Sequence, residues 1–333
     1  MMHPLDAKSY SDLFTKDNLK HDYIQLMRIY HPDRYKGSDA CKICAKINAL
    51  YEEAKVHIDD DTWGDESNVI YISLKNGRKK RIKYLYQGFN ETGRYYIGNT
   101  IVVFSFTKKK FFDNYLSSVK KIKYADDKIK NYFERFMPEI IDSFTSADDT
   151  YYIVVRKTAD VYPLWLVMDI FKQKEHAAWL STRLFNLSAF LSTSGIVHDG
   201  IAITTIFVSL ESHGAYLLGG WQYATSEGSK MIGTNKEVYS IMSPRTKADK
   251  TANYNTDTMA IKNVIGRLLS GKDYRAKTYR DFVNIVGEVW ANFLLQSDDQ
   301  PIDVVHKWED VRDKSFKEHR FVKVDIPENV YTK

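Results

Sequence analysis

The sequence predicts two unlike parts: a small all-α helical hairpin, then a larger α+β domain with two lobes. Three observations carry this. Residues 18–55 hold two apolar stripes at helical spacing, separated by a short loop that contains a proline. From Val69 the pattern changes to short β-branched and aromatic runs, and beyond Ala177 helical spacing returns. A length of 333 residues suits one small domain followed by a larger one.

In the first stripe Leu19, Tyr23, Leu26, Met27 and Tyr30 recur on one helical face, and Asp17 or Asn18 can cap its start. Pro32 ends it, because proline lacks an N–H and biases its predecessor away from helix. In the second, Cys41, Cys44, Ile47 and Leu50 or Tyr51 form another face, opened by Ser38 or Asp39. Two such stripes bury against each other as an antiparallel pair, which pushes His31 and Asp33 into water at one end. The acidic, polar stretch around residues 59–68 reads as a linker between domains spanning residues 1–58 and 69–333.

In the larger domain, Val69–Leu74, Ile82–Tyr86, Tyr95–Ile97, Ile101–Phe106 and Tyr151–Val155 are expected strands, with Asn76-Gly77 as a hairpin turn. Residues 88–93 form a glycine-bounded loop between the second and third of these. Helical spacing is expected between Phe111 and Ile141. Ala177, Leu180, Leu184, Leu187 and Leu191 mark a strong helix stopped by Gly195, and Ile261, Val264 and Leu268 mark another. Strands first and helices later give a strand-rich lobe over about 69–158 and a helical lobe over about 159–333.

Composition narrows the function classes. The formal charge of +5 is mild: residues 1–60 carry −1 and the remainder +6, a basic excess that does not compel nucleic-acid binding. Arg78 to Arg81, Lys108 to Lys110 and Lys120-Lys121 are the basic clusters, more simply read as solvated turns and strand ends. No apolar run approaches a membrane span and the start lacks a signal peptide's core, so a cytoplasmic address is expected, with no membrane partner. Cys41 and Cys44 form a C-x-x-C without a second pair. Both are expected to pack as small hydrophobes rather than to bind zinc. His176, His198 and His213 are too scattered for a metal site, and no cofactor is implied.

Tyr10-Ser11-Asp12-Leu13-Phe14, the loop Tyr30-His31-Pro32-Asp33-Arg34 and the helix from Ala45 to Ala54 together resemble a J domain. This is the module by which DnaJ-type co-chaperones engage DnaK-type (heat-shock-70) chaperones, and the resemblance covers Lys8 to about Lys55. It implies that His31, Pro32 and Asp33 stimulate ATP hydrolysis by the partner, and that basic residues near the loop dock on its acidic surface. Where the family usually has lysine and arginine after a tyrosine matching Tyr23, this chain has Ile24 and Gln25. Lys20, His21, Arg28, Arg34 and Lys36, with Tyr23, are the remaining contacts, and weaker steering lowers the expected on-rate.

The larger domain is similar to a protein-kinase fold. Four stretches carry the likeness: residues 88–93; Gly195-Ile196-Val197-His198-Asp199-Gly200 with Thr205 to Val208; Tyr216 to Trp221; and Tyr254 to Asp257 leading into a helix. Phosphoryl transfer on that fold needs a lysine on the third strand, an aspartate beside the substrate hydroxyl, and an asparagine and aspartate on magnesium. On this alignment those positions are Ser105, Gly200, Thr205 and Gly219, and glycine can neither accept a proton nor ligate a cation through a side chain. The resemblance therefore implies a pseudokinase that binds a client or target, in a chain that is not an enzyme. The function expected is a J-domain co-chaperone. Two alternatives stand beside it: an atypical ATP-dependent transferase using acids such as Asp199 or Glu211, and an adaptor that binds the chaperone without activating it.

Overall fold

The computed structural model describes residues 2–7, 9–59, 63, 68–271, 278–296, 300–316, 322–324, 326 and 330–332. Lys8, and all of the expected linker except Asp59, Trp63 and Asn68, lie outside the described residues. The chain divides into two compact units: Met1–Tyr71 with Arg81–Tyr84, and Ile72–Lys80 with Leu85–Lys333.

The first unit is built on α1 (Leu19–Tyr30) and α2 (Ala40–Asp59), preceded by a 3-10 turn at Tyr10–Asp12. Helix α1 stops where the proline rule requires: His31 leaves helical geometry at φ −60° and ψ 137° immediately before Pro32. The two helices run antiparallel. Tyr30 at the end of α1 meets Cys44 near the start of α2, while Tyr23, two turns earlier, reaches Asn48 and Tyr51. Tyr10, Phe14, Leu19, Leu26, Ile43, Ile47, Leu50 and Ala54 form their common core.

The two cysteines part company, which corrects the expectation that both pack inside. Cys44 is buried and Cys41 is exposed. The buried stripe of α2 runs through Ile43, Ile47, Leu50 and Ala54. Cys41, two residues before Ile43, lies about 160° round the helix from it.

The hairpin of β1 (Val69–Ser73) and β2 (Lys79–Lys83) is divided between the two units, with residues 72–73 and 79–80 in the second, and its turn needs Gly77 at φ 79°. Next come β3 (Tyr86–Asn90), β4 (Gly93–Ile97) and β5 (Ile101–Phe106), followed by α3 (Lys109–Lys120) and α4 (Asp127–Phe133). Strands β6 (Glu139–Thr145) and β7 (Tyr151–Arg156) complete an antiparallel sheet of order β3-β4-β5-β7-β6. The connecting β8 (Val161–Pro163) leads into the helical lobe, whose central rod is α5 (Lys174–Thr193). Short strands β9 (Ile196–Val197), β10 (Phe207–Ser209), β11 (Gly214–Tyr216) and β12 (Thr225–Ser226) follow. Helices α6 (Lys236–Ile241), α7 (Pro244–Asp249), α8 (Tyr254–Ser270), α9 (Tyr279–Val286), α10 (Glu288–Leu295) and α11 (Pro301–Ser315) complete the described α-helices of this lobe.

Two expectations change here. Ile82–Tyr86 is not one strand: Lys83 ends β2 and Tyr86 begins β3. The expected helical spacing up to Ile141 breaks at β6, where Ile140, Ser143 and Phe144 answer Val155, Ile153 and Tyr152 across the ladder. A bulge between Ile140 and Asp142 shifts the register there, which blurs the period that a sequence reading depends on.

One apolar core links both lobes of this unit. Val102, Phe104 and Phe106 from β5, Tyr115 from α3, Leu180, Leu184 and Leu191 from α5, and Ile261, Val264 and Leu268 from α8 all belong to it.

Candidate functional site

The cleft between the lobes is set by what α3 does with its polar face. Asn114 Nδ2 donates to the carbonyls of Gln222 and Ala224, both at 2.9 Å, and Ser118 Oγ donates to the Ala224 carbonyl at 3.2 Å. Tyr115 Oη donates to the Leu218 carbonyl at 2.6 Å from a fully buried ring. Three side chains of one helix thus satisfy backbone carbonyls of the segment 218–224, the stretch on which Gly219 stands. Buried carbonyls without such donors are costly, so these bonds hold helix and segment together.

Strand β5 alternates its faces. Phe104 and Phe106 turn toward Tyr115, with ring centroids at 5.8 and 6.0 Å. Ser105 points the other way, where its hydroxyl accepts from Arg94 N at 2.8 Å and donates to Arg94 O at 3.0 Å. Aromatic rings therefore occupy the side of β5 that faces α3.

Beneath the sheet, Asp257 near the start of α8 accepts from the backbone N–H of His198 at 2.6 Å and of Asp199 at 2.9 Å. This ties α8 to the loop after β9 and fixes Asp199 at φ 53°. The next residue, Gly200, lies against Gly220: a Cβ on Gly200 would come within 2.6 Å of the Gly220 carbonyl oxygen. A Cβ on Gly219 would meet the Thr205 carbonyl at 3.1 Å. Thr205 Oγ1 is itself engaged, donating to Gly200 O at 2.7 Å and accepting from Ala202 N at 2.9 Å. Gly200, Thr205 and Gly219, predicted from separate motifs, are brought together in one place. Ser105 is not among them.

Asp199 is fully buried, and neither carboxylate oxygen has a hydrogen-bond partner among the described residues. Burial pushes its carboxyl well above the ordinary range, and the neighbouring Asp257 and Glu227 push it further. Burial raises Asp257 too, but there two backbone donors oppose the shift. The proton is therefore held at Asp199, the acid with nothing to stabilise its charge. Burial alone pushes His198 down to about 3, so its imidazole is neutral. Glu211, the other acid singled out from the sequence, is exposed in the turn after β10.

A cavity of about 360 Å³ remains at the mouth, lined by Phe89, Asn90, Glu91, Gln222, Tyr223 and Lys236 among others. The expected glycine-bounded loop is corrected to a tight turn: Gly88 lies within β3 and Gly93 within β4, and Asn90 Oδ1 accepts from Thr92 N and Gly93 N. Glu91 Oε1 accepts from Lys236 N at 3.3 Å, which joins that turn to the start of α6. No local pattern points to this contact, which spans 145 residues.

The basic clusters are partly neutralised. Lys80 pairs with Asp142, and Lys109 with Asp113 at 2.6 Å. Among the described residues no group of three or more His, Cys, Asp or Glu could hold a metal ion, and no helix is long and apolar enough to cross a membrane.

In the first unit, the loop after α1 stands in solvent. The side chains of His31 and Asp33 are 47% and 86% exposed, and His31 Nδ1 lies 3.3 Å from Asp33 Oδ2. The loop is braced from its own backbone: Arg34 N and Tyr35 N both donate to His31 O at 2.8 Å. Pro32, Lys20, Arg28, Arg34 and Lys36 are exposed. Tyr23 spends its side chain inside the hairpin, stacked on Tyr51 at 4.1 Å with its hydroxyl on Asn48 at 2.9 Å. Ile24 is exposed at the position expected to carry a basic residue.

The second unit has a protein-kinase-like fold. A solved structure of vaccinia related kinase 3 matches with a TM-score of 0.53 and 13% identity, over 77% of this chain and 95% of that one. The Toxoplasma gondii specific rhoptry antigen kinase domain matches at 0.48 and 14%, over 74% and 86%. No protein-family model and no curated protein matches the chain.

One expectation is overturned by this likeness, that the chain is not an enzyme. It rested on four replaced positions, whereas the solved structure that matches at a TM-score of 0.53 is a kinase by description. Catalysis on this fold is mostly positioning and electrostatics, so replacing some of its parts does not amount to a chain without activity.

Proposed function

We propose that this chain is a J-domain co-chaperone, in which the helical hairpin docks a DnaK-type chaperone and stimulates its ATPase while the kinase-like domain engages a client or target. The observation that carries the reading is the His31-Pro32-Asp33 tripeptide, braced by two backbone hydrogen bonds to His31 O and in water at the end of two antiparallel helices. Lys20, Arg28, Arg34 and Lys36 are all exposed and available to an acidic partner surface. Steady-state ATP turnover by the chaperone is the test, with the full chain and its His31→Gln variant. Stimulation by the wild type that the variant loses is expected; equal turnover at the chaperone's basal rate in both ends the reading. Binding without stimulation assigns the adaptor role instead, which the exposed Ile24 favours.

A second reading, an ATP-dependent transferase, is supported by the fold likeness and by the cavity that Glu91 and Lys236 help to line. It predicts magnesium-dependent transfer of label from ATP by the full chain. No transfer and no nucleotide-dependent thermal shift removes it.

A further inference from the structure

The exposed Cys41 and the buried Cys44 sit three residues apart in the first turn and a half of α2, and the second of them touches the end of α1. Cys44 Sγ donates to the carbonyl of Tyr30 at 3.1 Å. That carbonyl is one of the last four of α1, which have no partner within their own helix. Tyr30 is the residue immediately before His31. A thiol on one helix therefore completes the end of the other at the point where the exposed loop begins.

We infer that Cys41 and Cys44 are a thiol–disulfide switch, oxidised by a hydroperoxide, that controls the set of the His31-Pro32-Asp33 loop. Residues i and i+3 of a helix lie about 5 Å apart at Cα, within the range a disulfide spans. Cys41 is in solvent, where an oxidant reaches it; Cys44 is shielded and serves as the resolving thiol.

The chemistry closes with the two thiols and one peroxide. The Cys41 sulfur attacks a peroxide oxygen and the O–O bond breaks. The leaving oxygen departs as water, taking the Cys41 proton when the peroxide is hydrogen peroxide, and the cysteine becomes a sulfenic acid. The Cys44 sulfur then attacks the Cys41 sulfur. The S–O bond breaks, hydroxide leaves as water with the Cys44 proton, and the S–S bond forms. The sulfur pair loses two electrons, and the peroxide gains them.

The structural consequence follows from geometry. To reach Cys41, Cys44 Sγ turns away from Tyr30, toward the exposed side of α2. The Tyr30 carbonyl loses its donor, and the end of α1 loosens beside His31. A thiol is a weak donor, so the expected change is roughly two- to fivefold in the loop's function rather than its abolition.

This inference rests on the proposed docking role of the loop, and the test separates the two. The full chain is treated with hydrogen peroxide, then measured by intact mass, by the imidazole proton resonances of His31, and by stimulation of a DnaK-type ATPase. Expected are a mass loss of two hydrogen atoms, a displaced His31 resonance, and stimulation reduced roughly two- to fivefold, all restored by dithiothreitol. Cys41→Ser, a change on an exposed position, should show none of them. No intramolecular disulfide, or a disulfide that leaves His31 unmoved, overturns the switch. A reduced protein that never stimulates the chaperone refutes the docking role, while the mass and the His31 resonance still decide the switch.

Discussion

Replacing Asp257 by alanine removes the acceptor that ties α8 to the loop after β9. Two buried N–H groups, those of His198 and Asp199, lose partners now at 2.6 and 2.9 Å. Each buried donor left unpaired costs roughly 1–3 kcal/mol, so the pair costs about 2–6 kcal/mol. Deleting a buried carboxyl offsets part of that, which places the expected net loss at about 2–4 kcal/mol. Urea unfolding of the full chain, followed by tryptophan fluorescence, is a direct assay, because Trp221 lies 5.0 Å from the His198 ring and reports on this site. With a slope of about 2 kcal/mol per molar urea, the midpoint of the larger unit should fall by roughly 1–2 M. A loss below about 1 kcal/mol would show that these bonds do not hold the loop, and the account of the site would fail with them.

Other expectations follow from the same contacts. Burial raises the Asp199 carboxyl, so the folded chain keeps a proton that the unfolded chain sheds near 3.8. Stability should therefore fall as pH rises from that value toward the folded pKa, by about 1.4 kcal/mol per pH unit, and thermal melts of Asp199→Asn should lose that slope. Gly200→Ala drives a Cβ to within 2.6 Å of a backbone carbonyl; a loss of roughly 1–3 kcal/mol is expected in chemical denaturation, and an unchanged midpoint refutes the close packing of this loop. Leu26→Ala empties the middle of the hairpin core and should cost about 2–4 kcal/mol, read as loss of helical circular dichroism at lower temperature.

The sequence determined whatever depends on local pattern. Leu19 to Tyr30 is a helix because its apolar residues recur at helical spacing and Pro32 ends it; Asn76-Gly77 is a turn because glycine alone takes φ 79° without strain. The grouping of Gly200, Thr205 and Gly219 was also legible, since each sits in a recognisable local stretch. Tertiary structure decided what depends on partners far along the chain. Nothing near Ser105 says that it bonds to Arg94 while Phe104 and Phe106 turn to Tyr115, and nothing near Glu91 points to Lys236. Strand β6 escaped for a related reason, because a bulge interrupts the alternation that marks a strand. The parting of Cys41 from Cys44 turned on which side of α2 the core lies, and only the packed neighbour fixes that angle. The charge state of Asp199 is the clearest case: an acid holds its proton because of the dielectric and the charges around it, and both are properties of the folded chain.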